Sequence, residues 1–328
     1  MAKYDPPITI SSIFVVDDTI KYRDGESYED NAWTRAYEEE LGIRIEYKWT
    51  VPQVQTSDKI NVLIATNDLP DLMNVDMKQL QRLVDAKEES ITPLDSVYES
   101  YATDLTKEIR PIDDIAFKSA NFNGQLMALP HNATTGLDRV PVLWIRQDWL
   151  DNLGLKAPAT LDEFEAVIRA FTEDDPDGNG KKDTYGFTYE GDSIYNNGWV
   201  ADPVILFSAN SGKYIPGSWQ EDENGELVYG SINEGNRATL ERMAQWHANG
   251  WIFQEAAATS AWDAMTQFTE GKAGIFIGRP WAIDSVKDVT SVAPEAVIKA
   301  YPNIRQENGE PTYQSAQTND GWLMFNKD

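Results

Sequence analysis

The sequence has 328 residues, 41% hydrophobic and 25% charged, so it carries enough apolar material for folded cores and exceeds one small domain. Its 54 Asp and Glu outweigh 28 Lys and Arg, and the net charge of −26 disfavours nucleic acid and anionic lipid as partners. The absence of cysteine excludes thiol catalysis, disulfides and Cys-ligated metal, and two histidines, His131 and His247, leave little scope for a histidine triad or zinc site.

The chain opens Met1-Ala2-Lys3 without an apolar signal core, so the expectation is a mature start whose export signal has been removed. The first strand expected is Ile8 to Val16, followed by a polar loop with Asp17 and Asp18. Asn31 to Leu41 reads as a helix with Trp33, Ala36, Tyr37 and Leu41 on one face, stopped by Gly42. Ile43 to Tyr47 alternates as a strand, completing the strand-helix-strand pattern of a parallel pair. A helix carrying Ile60, Leu63 and Ile64 then leads through Leu69-Pro70-Asp71 into a strand, Leu72 to Val75. Asn123-Gly124 marks a tight hairpin. Val142 to Ile145 is a buried strand by composition. Thr160 and Glu163 form a capping box for a helix that turns Phe164, Val167, Ile168 and Phe171 inward. Leu240, Met243, Ala244 and His247 make a later helical stripe, Ser260 opens another helix, and Gly274 to Ile277 is a strand. Strands and helices alternate throughout, which reads as an α/β fold.

The loop Asp175-Pro176-Asp177-Gly178-Asn179-Gly180-Lys181-Lys182-Asp183 spaces oxygen donors as a calcium loop does. Asp175, Asp177 and Asn179 stand at positions 1, 3 and 5, Lys181 offers its carbonyl at position 7, and Asp183 stands at position 9. Gly180 supplies the sharp turn. Gly186 occupies position 12, where a bidentate Glu is usual, and Glu190 is taken as the acid completing the shell, with Glu173 the other near candidate. The ion expected is a structural Ca²⁺.

Several segments, in order, resemble the family 1 extracellular solute-binding proteins of bacterial ABC transporters, the maltose-binding-protein-like group. They are Glu38 to Ile45, Leu69-Pro70-Asp71-Leu72, Asn123 to Pro130, Leu143 to Leu150, Leu153-Gly154-Leu155 and Pro158 to Phe164. The most telling is Phe268-Thr269-Glu270-Gly271-Lys272-Ala273-Gly274-Ile275, running into Arg279-Pro280-Trp281. The calcium-type loop points within that family to large, lipoprotein-type oligosaccharide binders of Gram-positive bacteria. The resemblance implies a periplasmic-binding-protein-like fold of type II, with two doubly wound lobes around a ligand cleft joined by hinge strands. The expected division is a first lobe at 1–140, a second at 141–318 holding the calcium loop, and a strand returning to the first lobe at 319–328. Family members continue beyond that strand, so the chain is expected to be a portion of a longer protein.

The resemblance gives Trp281 a sugar-stacking role and aligns Trp199 with another stacking aromatic. Trp322, on the returning strand, is a further candidate. Open α/β sheets bind ligands at strand ends, which nominates Asp17, Asp18, Asp68, Asn74, Asp76, His131 and Asn132, with Arg139 and Arg279 as donors. Carboxylates among these candidates argue against an anionic ligand. The implied function is the extracytoplasmic, non-enzymatic capture of a carbohydrate, an oligosaccharide in length, for an ABC importer's membrane permease subunits. The protein is expected to be an extracellular, lipid-anchored monomer. A glycoside hydrolase is the alternative and needs two carboxylates roughly 5–10 Å apart; no spacing in the sequence singles out such a pair. A calcium-regulated interaction module is a third class, resting on the loop alone.

Overall fold

The computed structural model describes residues 3–16, 20–52, 55–86, 90–110, 115–131, 140–191, 200–313 and 321–327. The chain forms two compact units. Unit 1 comprises Met1–Ala133 with Thr318–Asp328, and unit 2 comprises Thr134–Gln317.

In unit 1 the strands Ile8–Val16 and Ile43–Pro52 pair in parallel, with a bulge between Ser12 and Ile13. A helical segment joins them. Asn31 caps its start, and Gly42 ends it at a φ of 69°, with Tyr4 O only 2.2 Å from where a Cβ would stand. Only Ala32–Ala36 is α-helical; Tyr37–Leu41 forms a wider π-type turn. The expected inward face therefore does not form, and Trp33 is 73% exposed. A separate antiparallel sheet places Gly321–Phe325 between Leu72–Val75 and Leu129–His131. Leu63, Met73, Leu80, Phe117 and Met324 lie in the buried core of this unit. The Asn123-Gly124 hairpin forms with both residues at positive φ, as the two-residue turn requires.

Asp71 explains the Leu-Pro-Asp turn. Its carboxylate accepts from the Ser11 N–H (2.6 Å) and hydroxyl (2.8 Å), while its own N–H donates to Ser11 Oγ (2.9 Å). This clamp ties the first strand to the start of Leu72–Val75. The backbone hydrogen bond from Ser11, then the hydroxyl, holds the Asp71 carboxyl below its ordinary value. Its stabilisation is therefore present above the ordinary aspartate range and is lost as pH falls through the lower native value. Asp71→Asn should cost about 1 kcal/mol at neutral pH and flatten the acid limb of a stability–pH curve measured by urea unfolding.

In unit 2 the strand order is Ile298–Tyr301, Val142–Arg146, Ala273–Gly278, Tyr185–Thr188. Ala273–Gly278 runs parallel to Tyr185–Thr188 and antiparallel to Val142–Arg146, which is itself antiparallel to Ile298–Tyr301. Gly278, Thr188, Tyr301 and Val142 thus gather at one end of the sheet. Helix Leu161–Glu173 packs Phe164, Ile168 and Phe171 into the core. Thr160 Oγ1 accepts from the Glu163 N–H (3.3 Å), but the Glu163 carboxylate accepts from Ala159 (2.7 Å), so the capping box is displaced by one residue.

Helix Glu234–Ala248 buries Asn236, Thr239, Met243 and Trp246; Leu240, Ala244 and His247 of the expected stripe face outward. The reason is polar. Asn236 Nδ2 donates to the carbonyls of Tyr214 (2.6 Å) and Gly230 (2.7 Å), which lets a polar residue occupy the buried face.

Candidate functional site

Every residue of strand Ala273–Gly278 is buried. Gly274 is required there, because a Cβ would lie 2.1 Å from the Phe171 ring and 2.8 Å from Trp149. The chain then turns through Arg279 into Pro280–Ala282. The Arg279 carbonyl accepts from Trp144 Nε1 at 3.3 Å, which anchors the turn to the neighbouring strand. Trp281 consequently stands just past the strand end, 36% exposed.

Beside it lies Trp262, 47% exposed, with ring centroids 6.3 Å apart and planes inclined at 47°. Trp262 occupies the first turn of helix Ala261–Thr269, whose Ala264, Met265 and Phe268 face the core. Ser260 Oγ caps that helix by accepting from the Asp263 N–H (3.2 Å). The sequence reading missed Trp262, which looked like one more residue of a capped amphipathic helix. Its place in the first turn, off the 264/265/268 face, was the available signal.

Two buried carboxylates flank this strand end. Glu190, 1% exposed, follows strand Tyr185–Thr188, and its N–H donates to Ala201 O (3.0 Å). Asp202, 3% exposed, accepts from the Val204 N–H (2.9 Å). Val200 bridges Gly278, and the Ala201 N–H donates to Ile277 O (2.7 Å). Arg279, nominated as a donor, is itself buried at this strand end. Trp199 and Arg139 lie outside the described residues, as do Asp17, Asp18 and Asn132.

In unit 1 the structure brings Asn74 and His131 to one face and one end of the three-stranded sheet. His131 pairs with Gly321, and Asn74 with Leu323. A Cβ on Gly321 would lie 2.4 Å from Asn74 Oδ1, so glycine makes the room for that side chain. His131 Nδ1 is buried with no hydrogen-bond partner among the described residues. Trp322 is not part of this group. It faces the opposite side of the sheet, in register with Val75, and its Nε1 donates to Ser119 Oγ (3.1 Å). Asp76 caps helix Met77–Asp85, accepting from Gln79 N (2.8 Å) and donating its own N–H to Gln79 Oε1 (3.0 Å). Asp68 lies before strand Leu72–Val75, at the end opposite Asn74, and is ion-paired with Lys48. It therefore stands apart from His131.

The calcium-type loop connects helix Leu161–Glu173 to strand Tyr185–Thr188. Asn179 sits among its aspartates. Its side-chain amide donates to Asp177 Oδ2 (2.8 Å) and Asp183 Oδ1 (3.2 Å), and its N–H to Asp175 Oδ1 (3.1 Å). The Gly180 N–H donates to Asp175 Oδ2 (3.0 Å), and Lys181 N–H to Asn179 Oδ1 (2.7 Å). Burial first, then the hydrogen bond and charge of Asp175 and the charge of Asp183, push the Asp177 carboxyl up. Among the described residues no three carboxylates or imidazoles are already drawn around one point; here Asn179 stands between the three aspartates. The donor set nonetheless fits a hard cation, which wants carboxylate, amide and carbonyl oxygens.

Glu190 does not belong to this loop. The intervening strand leads away from it, and Glu190 is buried at the far end of that strand. Glu173 is engaged elsewhere, accepting from Trp251 Nε1 (2.9 Å). The departure at position 12 has a packing cause: a Cβ on Gly186 would lie 2.3 Å from Ile168 Cα and O. Gly186→Glu, which restores the calcium-loop pattern on paper, should therefore destabilise unit 2 by at least roughly 3 kcal/mol, read as a large drop in melting temperature.

The family model described as bacterial extracellular solute-binding protein matches residues 21–327. The chain belongs to that family. Its members bind solutes and are not enzymes. Among curated relatives, the polygalacturonan/rhamnogalacturonan-binding protein YtcQ of Bacillus subtilis (strain 168) is 28% identical over 279 residues, 84% of this chain and 52% of the relative. Lipoprotein LipO of the same strain is 26% identical over 285 residues, 86% of this chain and 54% of LipO. The chain thus spans about half the length of these curated relatives. Among solved structures, S. pneumoniae ABC-transporter substrate-binding protein FusA in complex with kestose superposes with a TM-score of 0.72 at 21% identity, covering 98% of this chain and 64% of FusA. A FusA EF-hand mutant in complex with fructo-nystose gives 0.71 at 20% identity, with the same coverage. These likenesses establish the type II periplasmic-binding-protein-like α/β fold.

Proposed function

We propose that the chain is the ligand-capturing region of an extracytoplasmic substrate-binding component of an ABC importer, and that its solute is an oligosaccharide. The Trp262–Trp281 pair at the sheet end of unit 2 carries this reading. Sugar rings present apolar C–H faces bordered by hydroxyls, and an exposed indole fixed on a strand end offers those faces a rigid surface. Two indoles inclined at 47° offer two planes, which suits a chain that bends between successive rings. The solutes in the names of YtcQ and of the FusA structures are polymers or oligomers of sugar, in keeping with this class.

A Ca²⁺ ion in the 175–183 loop is part of the proposal, held by Asp175, Asp177, Asn179, Asp183 and the Lys181 carbonyl. Its role is structural: it fixes the turn between a core helix and a core strand. The native protein is a monomer at the cell surface, lipid-anchored as the LipO relationship supports, and it delivers its ligand to membrane permease subunits. The net charge of −26 keeps it off nucleic acid. A thermal-shift screen against plant and bacterial oligosaccharides tests the reading. A true ligand raises the melting temperature by linkage, and a panel without one responsive sugar counts against it.

A further inference from the structure

Unit 1 holds an aromatic groove that the solute site of unit 2 leaves unused. It encloses about 490 Å³ between the end of strand Ile8–Val16, strand Ile43–Pro52 and the helical segment starting at Ala32. Phe14, Tyr28 and Tyr47 form a ring cluster in it, with centroids 4.6 Å (Phe14–Tyr28), 5.1 Å (Phe14–Tyr47) and 5.8 Å (Tyr28–Tyr47) apart. Tyr22, Trp33 and Tyr37 line it too and are exposed. Burial, and then the neighbouring Tyr22 and Tyr37, raise the Tyr47 phenol, so the three phenols lie within electrostatic reach of one another.

Charge distinguishes this groove from the rest of an acidic chain. Lys21 and Arg23 line it, and among the described residues neither is paired with a carboxylate. Its lining acid, Glu26, is ion-paired with Arg35 at 2.5 Å, a cation that Asp30 shares at 2.6 Å. Aromatic faces, phenol hydroxyls and two cations that have no carboxylate partner among the described residues together fit a sugar ring that carries a carboxylate. A neutral sugar would leave the cations without a counter-charge. Within an acidic chain, the lining of this groove carries two cations and one acid.

We propose that this groove is a second saccharide site, selective for uronate sugars, with Trp33 and Tyr22 stacking on the ring and Lys21 and Arg23 taking the carboxylate. Arg23 offers a planar fork that matches a carboxylate in two hydrogen bonds; Lys21 adds a point charge. The site rests on the carbohydrate reading for its ligand class but on no residue of unit 2, so the two can fail separately.

Calorimetric titration of the full chain with digalacturonate, at fixed calcium and in a Trp281→Ala background, tests it. The comparison ligand is the same disaccharide with its carboxyls reduced to alcohols. Digalacturonate should bind at least about tenfold more tightly than the neutral analogue, and the difference should shrink as salt is raised. The Lys21→Gln/Arg23→Gln double variant should abolish that preference. Trp33→Ala should weaken both ligands about tenfold, with melting temperatures unchanged because these side chains are exposed. No digalacturonate binding, equal affinity for the two disaccharides, or binding indifferent to all three substitutions would overturn the proposal. Retained oligosaccharide binding by Lys21→Gln/Arg23→Gln with Trp281 intact would show that the solute site of unit 2 stands by itself.

Discussion

Trp281→Ala is expected to weaken oligosaccharide binding by tenfold or more, about 1–3 kcal/mol, while leaving the melting temperature of the free protein nearly unchanged. The expectation follows from where the ring sits. The strand beneath it is fully buried, and the turn that carries it is anchored by the Trp144–Arg279 hydrogen bond, but the indole itself is 36% exposed. About a third of its surface is thus open to a ligand, beside the exposed ring of Trp262. Trp262→Ala should act in the same direction. Because both rings face one ligand, the two losses should not add, and a double-mutant cycle by calorimetry should show a coupling of at least about 0.5 kcal/mol. If Trp281→Ala instead unfolds the protein and leaves residual binding untouched, the indole is a packing residue and the site lies elsewhere.

The second large effect is calcium removal. One ion per chain should bind with a dissociation constant of roughly 10⁻⁴–10⁻⁶ M, toward the weak side because no bidentate Glu is available at position 12. At calcium a hundredfold above that constant, linkage stabilises the folded chain by about 2.7 kcal/mol, and a chelator should lower the melting temperature by several degrees. Asp177→Ala should abolish the response. It removes the carboxylate that accepts from the Asn179 amide and lies among the charges of Asp175 and Asp183. Magnesium should substitute poorly, since this loop offers mixed donors rather than an octahedral set. An intact protein that shows no calcium heat at millimolar calcium would remove the ion from the account.

Local chemistry was legible wherever one residue type dictated one geometry. Asn123-Gly124 could only be a left-handed turn, and Thr160 followed by Glu163 had to open a helix, although the Glu163 carboxylate reaches Ala159 instead of Thr160. The Arg279-Pro280-Trp281 turn was equally plain in the sequence, and its exposed indole stands where a strand end was expected. Helix faces were less legible. The Asn236 and Thr239 face of helix Glu234–Ala248 is polar in sequence, yet the Asn236 amide N–H groups and the Thr239 hydroxyl find carbonyl partners in the interior, so counting apolar residues puts the stripe on the wrong side. Trp33 and Tyr37 read as core because a 3.6-residue period was assumed, and the π-type turn breaks that period. Long-range partners were not legible at all. Nothing in the sequence ties Asp71 to Ser11, sets Gly186 against Ile168, or places Trp262 beside Trp281. Closeness in sequence nominates Glu190 as a metal ligand, whereas a strand carries it to the other end of the sheet.

The most direct test of the central claim is an equilibrium titration of the chain with an oligosaccharide panel, followed by chromatography of the recovered sugar. The account predicts saturable binding of at least one oligosaccharide that depends on Trp262 and Trp281, with every sugar recovered at its original length. Shortened sugar, or saturable binding that persists undiminished in the Trp262→Ala/Trp281→Ala variant, would contradict it.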